Sequence, residues 1–439
     1  MVDSQPARPE GGARAVNRKL TKLGWSTLVT ETSTNLSVPI TIMVLETPIT
    51  LPELYDILQE RLLRQHSRYR SLVQGTGELV ELPIEDVVLE QHVRVHQLGD
   101  PDSQRELNTV LGNLSCLPLV MTRPLWEVVL IPKFKSGSVL VFRNHHCLSD
   151  GGGGAIIVDS ISDSPEQWEP KRKPALGEHI LQLLALTLTL LASVPFVLYS
   201  VILVVLFPDR PSPLKPKQLE GGRRKVAISG PISVPALKKV CRANNCKIND
   251  LALTLYAQAL RDQAKAIDPT FDKPVWSGIP VDVRLRGEVY TGNKFGFGVC
   301  RLPLHIAAFP EALAYVQKRM TFMKEHNLAM VMYYFSVVSS ALMPTALLRA
   351  MLAFNTRRIS LVVSNVAAGN KQLVLKGHAI QYMYALVPPP PNVGIGCSVI
   401  GQQDQLVFGM VVDSAAAIDP QAAIDHVLNA LHVLSGGEI

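Results

Sequence analysis

The amino-acid sequence predicts an α/β protein made of two halves, each with a mixed sheet flanked by helices. A chain of 439 residues is too long to fold around one hydrophobic core. Strand-like runs such as VPITIMVLE and SVLVFRNHH alternate with helical patterns such as LPELYDILQERLLRQHSRY. A long apolar segment and a proline-rich linker separate two stretches of this mixed pattern, which indicates two halves.

Composition sets the predicted boundaries. Residues 1–17 are rich in Pro, Gly and charge, and predict a disordered tail. Residues 18–170 form the predicted N-terminal half and residues 171–224 the apolar segment with its linker. Residues 225–439 form the predicted C-terminal half, and Leu328 to Phe354 within it predict a core or tunnel-lining helix pair.

The C-terminal half ends with two clear elements. The stretch VGIGCSVIGQQDQLVFGMVVD predicts a β-hairpin, since two apolar runs flank a short polar turn. Pro420 to Leu434 predicts a helix that begins at a proline.

The composition also excludes several classes of protein. A net charge of +6 and a pI near 8.9 suggest an anionic ligand or surface, but no nucleic-acid motif or aromatic-interleaved basic patch accompanies them. The six cysteines are scattered without a CxxC pair, so neither a metal site nor a disulfide scaffold is expected. The first twenty residues have no apolar core and do not predict a signal peptide.

The apolar segment Ile180 to Phe207 has no charged side chain and exceeds the roughly 20 residues that span a bilayer. Basic residues flank it on both sides, which favours both ends on the same side of a membrane. We expect a membrane-inserting hairpin that bends near Pro195. A buried helix of a soluble protein is the alternative.

The stretch FRNHHCLSDGGGG, Phe142 to Gly154, carries the candidate chemistry. If the strand continues through it, His145 and His146 point to opposite faces, which argues against a shared metal. The glycines predict a sharp turn into a helix, with Asp150 as its cap or as the anchor of an arginine. A histidine beside such a turn can project into a channel and transfer a proton near neutral pH.

His145 to Gly151 match the HHxxxDG signature of CoA-dependent acyltransferases, which include chloramphenicol acetyltransferase and condensation domains. The chain further resembles the bifunctional wax ester synthase/diacylglycerol acyltransferase family in an ordered set of motifs. These are PLW (Pro124 to Trp126), ND (Asn249 and Asp250), IPVDVR (Ile279 to Arg284), TGNKFGF (Thr291 to Phe297) and VVSNV (Val362 to Val366).

This resemblance implies two chloramphenicol-acetyltransferase-like halves with an active-site tunnel between them. It implies an acyltransferase in which His146 is the general base and acyl-CoA is a co-substrate, with no other cofactor and no acyl-enzyme. A nucleophilic Cys147 is the alternative, and Arg284 is a candidate partner for Asp150. The full set of candidate site residues is His146, His145 and Asp150 as catalytic, and Gly151, Asn249, Asp250, Ser364 and Asn365 as substrate-binding.

The implied acceptors are a long-chain fatty alcohol, diacylglycerol or both. A tunnel shared by both halves also disfavours a single membrane span between them, because a span would separate the halves. The long insert resembles plant-like, eukaryotic members, so we expect the cytosolic face of the endoplasmic reticulum or a lipid droplet. Two alternatives stay open, acylation of another alcohol or amine and a catalytically silent lipid-surface protein.

The chain departs from the family pattern at two places. Ala367, Ala368 and Gly369 follow SNV where the family often has Pro-Gly-Pro, and the usual LSxxD opening is not recognisable. The first departure bears on a loop near the channel and the second on the acceptor end.

Overall fold

The computed structural model describes residues 18–165, 176–285 and 287–439. The predicted disordered tail, residues 1–17, and the predicted boundary near residue 170 lie outside these residues. The first part of the chain contains β1 (Arg18–Lys19), α1 (Lys22–Thr30), β2 (Ile40–Leu45), α2 (Leu51–Asp56, continued by a π-helix over Ile57–Leu63), β3 (Ser71–Gln74), β4 (Glu78–Glu81), β5 (Val93–Val95), α3 (Gln104–Leu114), β6 (Trp126–Phe134), β7 (Gly137–Asn144) and α4 (Gly151–Ser160).

The apolar segment and the rest of the chain follow in order. They contain α5 (Leu176–Leu206), β8 (Arg224–Ile228), β9 (Ile232–Ser233), α6 (Val234–Ala243), α7 (Ile248–Ile267), β10 (Val275–Asp282), β11 (Phe295–Leu302), α8 (Phe309–Glu325), α9 (Leu328–Leu342), α10 (Thr345–Thr356), β12 (Leu361–Ala367), β13 (Val374–Leu375), β14 (His378–Leu386), β15 (Ile395–Gln402), β16 (Gln405–Asp413) and α11 (Pro420–Leu434).

Two large mixed sheets confirm the predicted fold class. The first has the order β13-β14-β2-β7-β6-β5, and the second has the order β11-β10-β12-β15-β16-β8 with β9 beside β16. A small sheet, β1-β4-β3, lies apart from both. The predicted hairpin is β15 and β16, which pair antiparallel, and the predicted C-terminal helix is α11.

One strand crosses between the halves. β14 pairs antiparallel with β2, with Tyr384 opposite Ile42, so a strand from the C-terminal part of the chain completes the first sheet. The buried tyrosine and isoleucine belong to an apolar cluster that also takes in β8 and β16 of the second sheet. Because this cluster joins the two sheets, it fixes one half of the molecule against the other.

The second sheet is covered by helices, and α7 lies deepest among them. Most of α7 is buried, including Leu251, Tyr256 and Leu260, which matches its nearly continuous apolar sequence. The Tyr256 hydroxyl lies within donating distance of the backbone carbonyls of Ser398 and Gly409, both at 2.9 Å. This contact ties α7 to the hairpin of β15 and β16.

The apolar segment forms one continuous helix, α5, with Pro195 inside it. The expected hairpin bending near Pro195 is therefore wrong. A proline removes a single backbone hydrogen bond, and the apolar residues on both sides keep the rest of the helical ladder. Thr187 to Leu206 has a mean hydropathy of 2.4 and is long and apolar enough to cross a membrane by length and composition.

The end of α5 is fixed to the second sheet. The Trp276 indole N–H donates to the Phe207 carbonyl at 2.8 Å, and the Trp276 backbone N–H donates to Asp209 at 2.9 Å. Ser360 also donates to the Asp209 carboxylate, at 2.6 Å. Burial raises the pKa of Asp209 to about 6, although these donors and Lys215 oppose the shift.

The predicted helix pair between Leu328 and Phe354 is present as α9 and α10. Of the two places predicted for it, the core is wrong, and a tunnel lining stays a prediction. Only a few of its side chains are buried, among them Leu328 and Leu348. Six large apolar or aromatic side chains are exposed, and most of the others are half-buried: the exposed ones are Tyr334, Phe335, Val338, Leu342, Leu347 and Phe354. A sequence pattern cannot separate an apolar helix in a core from one on an apolar surface, since both have the same composition.

Candidate active site

The histidine motif lies just beyond the end of β7. The strand ends at Asn144, so the predicted extension of the strand through His146 is wrong by two residues. The backbone N–H of His145 donates to the Leu125 carbonyl at 2.8 Å, and that of His146 donates to the Ser37 carbonyl at 2.7 Å. These contacts with two separate segments turn the chain and aim the two rings differently.

The His145 ring faces the interior and supports the turn. Its side chain is buried, and its Nδ1 accepts the Cys147 backbone N–H at 3.0 Å. Because Nδ1 accepts, the ring proton of the neutral form is on Nε2, which lies 3.2 Å from a Glu31 carboxylate oxygen. Burial would raise the pKa of Glu31, but the contact with His145 and the Ser37 N–H outweigh it and lower that pKa. Nδ1 is used within the turn and Nε2 faces Glu31, which favours a supporting role for His145. The predicted catalytic role of His145 stays a prediction.

The His146 ring has a different environment. From Arg143 to Asp150, His146 is the one residue that is not buried. Its Nδ1 lies 3.0 Å from Asn293 Oδ1, and the Asn293 amide N–H₂ donates to the His146 backbone carbonyl at 2.8 Å. Because the amide nitrogen is used as a donor, its oxygen accepts from Nδ1–H, and Nε2 keeps a free lone pair.

The electrostatics keep the His146 ring neutral. Burial lowers the pKa of His146 below its ordinary value, and the charge of Asp150 and the hydrogen bond to Asn293 oppose this shift only in part. The Phe295 ring lies beside it, with ring centroids 5.5 Å apart. A neutral, half-exposed imidazole with a free Nε2 can accept a proton from a hydroxyl group.

Asp150 holds the motif to the second half of the molecule. Its carboxylate caps α4 by accepting the Gly153 N–H at 2.8 Å, and it accepts the Lys294 N–H at 2.6 Å. Arg284 lies 2.8 Å from the same carboxylate, and both side chains are only 5% exposed. Burial would lower the pKa of Arg284, but Asp150 and Asp282 raise it. Both contacts predicted for Asp150 are present, namely the cap of α4 and the ion pair with an arginine. They hold the histidine motif in position.

The glycines of the motif allow α4 to approach the second half closely. A Cβ on Gly153 would lie 2.3 Å from the Thr291 carbonyl oxygen, and one on Gly151 would lie 2.9 Å from a Val366 methyl carbon. Larger residues would push α4 away from the loop that carries Asn293. Gly151 therefore packs against β12, and its predicted contact with the substrate stays a prediction.

The predicted substrate-binding residues of the second half form a separate group. The Asn365 amide donates to Asn249 Oδ1 at 3.3 Å, so the two asparagines meet. Asn249 is not the cap of α7, because that helix begins one residue earlier, after Lys247. Asp250 is buried and accepts the Lys247 N–H at 3.2 Å, and Ser364 is buried in β12. This group adjoins the motif through Val366, which follows Asn365 and lies against Gly151.

Three residues next to the histidines were not predicted as site residues. Asn293 orients His146, Glu31 faces His145, and Phe295 flanks the His146 ring. Asn293 and Phe295 lie inside the motif TGNKFGF, which the sequence marked only as a family landmark. The contact between His146 and Asn293 spans 147 residues, so no local pattern could have indicated it.

Other chemistries find no support in this region. Cys147 is buried, and burial raises the pKa of its thiol far above the ordinary value, so the reactive thiolate is disfavoured. Among the described residues, no group of three or more His, Cys, Asp or Glu side chains is placed to hold a metal ion.

Comparison with known families decides the identity of the chain. Residues 49–205 match the wax ester synthase/diacylglycerol acyltransferase catalytic domain, and residues 291–435 match the WS/DGAT C-terminal domain. The chain belongs to this family. It is therefore an acyltransferase of the WS/DGAT type, and the histidine motif lies within the matched catalytic domain.

Individual relatives agree with this assignment. A Mycobacterium tuberculosis protein, provisionally named a diacylglycerol O-acyltransferase, is 23% identical over 385 residues, covering 80% of this chain and 76% of its own. The wax ester synthase/diacylglycerol acyltransferase of Marinobacter aquaeolei has a TM-score of 0.67 at 19% identity, covering 95% of this chain and all of its own. Both relatives are bacterial, and they give no support to the expected likeness to plant-like members.

A third comparison shows that the fold extends beyond the family. The starter condensation domain of rhizomide synthetase, solved with C8-CoA and Leu-SNAC, has a TM-score of 0.58 at 15% identity. The match covers 96% of this chain and 94% of the condensation domain. At this identity the likeness shows the shared two-half fold.

Proposed function

We propose that this WS/DGAT member transfers a fatty acyl group from acyl-CoA to a long-chain alcohol, to diacylglycerol or to both. The observation that carries the proposal is the His146 ring, which is neutral, half-exposed and oriented by Asn293 with Nε2 free. The family assignment supports acyl transfer, and the condensation domain with bound C8-CoA supports a CoA thioester as donor.

The proposed step needs one base and no covalent enzyme intermediate. His146 Nε2 takes the proton of the acceptor hydroxyl as the oxygen attacks the thioester carbonyl carbon. A C–O bond forms and the C–S bond breaks, and CoA leaves as a thiolate that the protonated His146 reprotonates. Such base assistance is worth about 100- to 10,000-fold in rate.

Asp150 and Arg284 serve this chemistry by holding the parts together. The ion pair joins the histidine turn of the first half to the loop before β11 in the second half. The same loop carries Asn293, so the pair helps to keep Asn293 in reach of His146. We infer a positioning role for both charged residues.

We also propose that the protein works at a membrane surface. The outward-facing apolar residues of α5, such as Leu188 and Leu191, support this, since water is an unfavourable environment for them. The cytosolic face of the endoplasmic reticulum and the lipid droplet stay predictions for the place of that surface.

An assay with two acceptors tests the proposed function. Purified protein is given labelled palmitoyl-CoA with either hexadecanol or dioleoylglycerol, and the ester products are separated and counted. We expect a labelled wax ester or triacylglycerol, with CoA released in equal amount. Release of free palmitate without ester, or no turnover with either acceptor, would contradict the proposal and favour a silent protein or another acceptor.

A further inference from the structure

α9 and α10 leave an apolar face uncovered. In α9, Phe335, Val338 and Leu342 are 48%, 53% and 78% exposed, and their spacing of three and four residues places them on one side of the helix. In α10, Leu347 and Phe354 are also exposed and lie two turns apart. We call these five side chains the α9–α10 face. Adjoining exposed apolar side chains mark an interaction surface more often than single ones do.

The charges around this face have one sign. From Leu328 to Arg358 the chain has three arginines and no acidic residue. Arg357 is exposed, and the Arg358 guanidinium carbon lies 3.4 Å from the centroid of the Phe354 ring. Within the described residues, none of the three arginines forms an ion pair with a carboxylate. Arg349 donates to the Val29 carbonyl of α1, so Arg357 and Arg358 are the arginines beside Phe354 on this face. An apolar surface flanked by these positive charges is complementary to a leaflet with anionic headgroups.

A second copy of the chain fits this face less well. A twofold contact buries the same patch on both subunits, and it would bring the arginines of one copy towards those of the other. α5 packs on α9, and its Phe196 stacks on His326 in the turn between α8 and α9. The long apolar helix and the α9–α10 face therefore belong to neighbouring parts of the surface.

The same helix lies next to the candidate active site. α9 packs on β11, and a Cβ on Gly296 would lie only 1.7 Å from the Ala329 carbonyl oxygen, so the glycine permits this contact. Phe295, the residue before Gly296, flanks the His146 ring. Because neighbouring strand residues point to opposite faces, α9 covers one face of the edge strand β11 and His146 lies beside the other face.

We propose that the α9–α10 face docks on an anionic phospholipid leaflet and that the apolar acceptor passes from this leaflet to His146 around the edge strand β11. The route of the acceptor rests on the proposed function, whereas the docking on the leaflet does not. The acceptor then never has to dissolve in water, which suits a substrate with a long hydrocarbon chain.

Vesicle binding tests the docking. The double variant Phe335→Asp, Val338→Asp is compared with wild type on vesicles of phosphatidylcholine with phosphatidylglycerol. We expect binding to weaken by more than about tenfold, because the variant loses two apolar side chains that the leaflet would bury on docking. Val433→Asp is the matched control, since Val433 is 77% exposed on α11, away from this face, and should bind as wild type does. Equal binding by the double variant and wild type would overturn the proposal.

Replacing an arginine provides a second test of the docking. Arg357→Gln should reduce the preference for phosphatidylglycerol over pure phosphatidylcholine by about fivefold, and high salt should remove that preference in wild type. If the double variant instead converts a wild-type dimer into a monomer without changing vesicle binding, the face pairs two copies and the lipid occupant is wrong.

Activity with two kinds of acceptor tests the route. The double variant should esterify hexadecanol held in vesicles more than about tenfold more slowly, in parallel with its binding. It should esterify butanol in solution without vesicles at the wild-type rate. If the double variant loses activity equally with both acceptors, and Leu342→Asp does the same, the proposed route is wrong. If wild type esterifies neither acceptor, the proposed function fails while vesicle binding still decides the docking.

Discussion

At His146, burial and hydrogen bonding act on the pKa in opposite directions, and burial has the larger effect. The result is a base that stays neutral to a lower pH than an ordinary histidine. His145 beside it accepts the Cys147 N–H at Nδ1, and its Nε2 lies 3.2 Å from a Glu31 carboxylate oxygen. The two neighbouring histidines therefore have different surroundings, because their hydrogen-bond partners differ.

Replacing Asn293 should change how His146 titrates. For Asn293→Ala we expect kcat to fall about 10- to 100-fold with little change in KM, because the ring loses the partner that fixes its tautomer. The pH profile of kcat/KM is the second measurement. Its acid limb should lie below 6.5 in wild type, because a lowered histidine pKa keeps the base neutral at lower pH. The limb should move lower still in the variant, since the hydrogen bond to Asn293 raises that pKa.

Ser149→Ala is the control for Asn293→Ala. Ser149 donates to the Thr291 carbonyl at 2.8 Å and so supports the same loop without reaching the His146 ring. We expect Ser149→Ala to leave the pH of the acid limb unchanged from wild type. An Asn293→Ala enzyme with wild-type kcat and an unmoved acid limb would show that Asn293 does not orient the base.

At the scale of the elements, the histidine turn and the loop before β11 meet through a buried ion pair. Asp150 and Arg284 lie 134 positions apart in the chain, and each is held by further contacts in its own half. The backbone N–H of Lys294 adds a third link to the same carboxylate. The pair therefore couples the folding of two distant segments to the assembly of the site.

Breaking this pair should destabilise the protein strongly. For Arg284→Met we expect a loss of about 3–5 kcal/mol in the free energy of unfolding, because the Asp150 charge is left buried without its partner. Denaturant unfolding of Arg284→Met, Asp150→Asn and the double variant measures the coupling between the two. Lys239→Gln is the control, since its pair with Glu438 is exposed and should contribute less than about 1 kcal/mol. Additive losses in the double variant would contradict the coupling.

The sequence indicated the elements with strong local patterns. The helix α11 starts at Pro420 and ends at Leu434 as predicted, and the hairpin of β15 and β16 forms where a polar turn separates two apolar runs. The cap at Asp150 was also indicated, because caps depend on neighbouring residues. Elements that depend on distant contacts were not, and the crossing of β14 into the first sheet is the main example.

The wrong expectations have a common physical cause. Pro195 predicted a bend, and a core position was one of the two predicted for α9 and α10, because sequence gives the composition of a helix but not what surrounds it. Asn293 and Glu31 were missed for the same reason, as each reaches a histidine across a long stretch of chain. Polar residues with one long-range partner leave no periodic pattern to find.

At the scale of the whole molecule, the chain joins a two-half acyltransferase fold to an extended apolar surface. The histidine turn of the first half and the Asn293 loop of the second half form the candidate site together. α9 covers the opposite face of β11, the strand that begins with Phe295, and α5 packs on α9. This arrangement is the basis of the proposed delivery of the acceptor from a lipid leaflet to His146.

The central claim is that His146 is the base in acyl transfer. The most direct test measures CoA release from palmitoyl-CoA with hexadecanol for wild type, His146→Ala and His426→Ala, the last a histidine on the distant helix α11. We expect His146→Ala to lower the rate by about 100- to 10,000-fold while vesicle binding and thermal unfolding stay unchanged, and His426→Ala to match wild type. CoA release by His146→Ala at the wild-type rate would contradict the account.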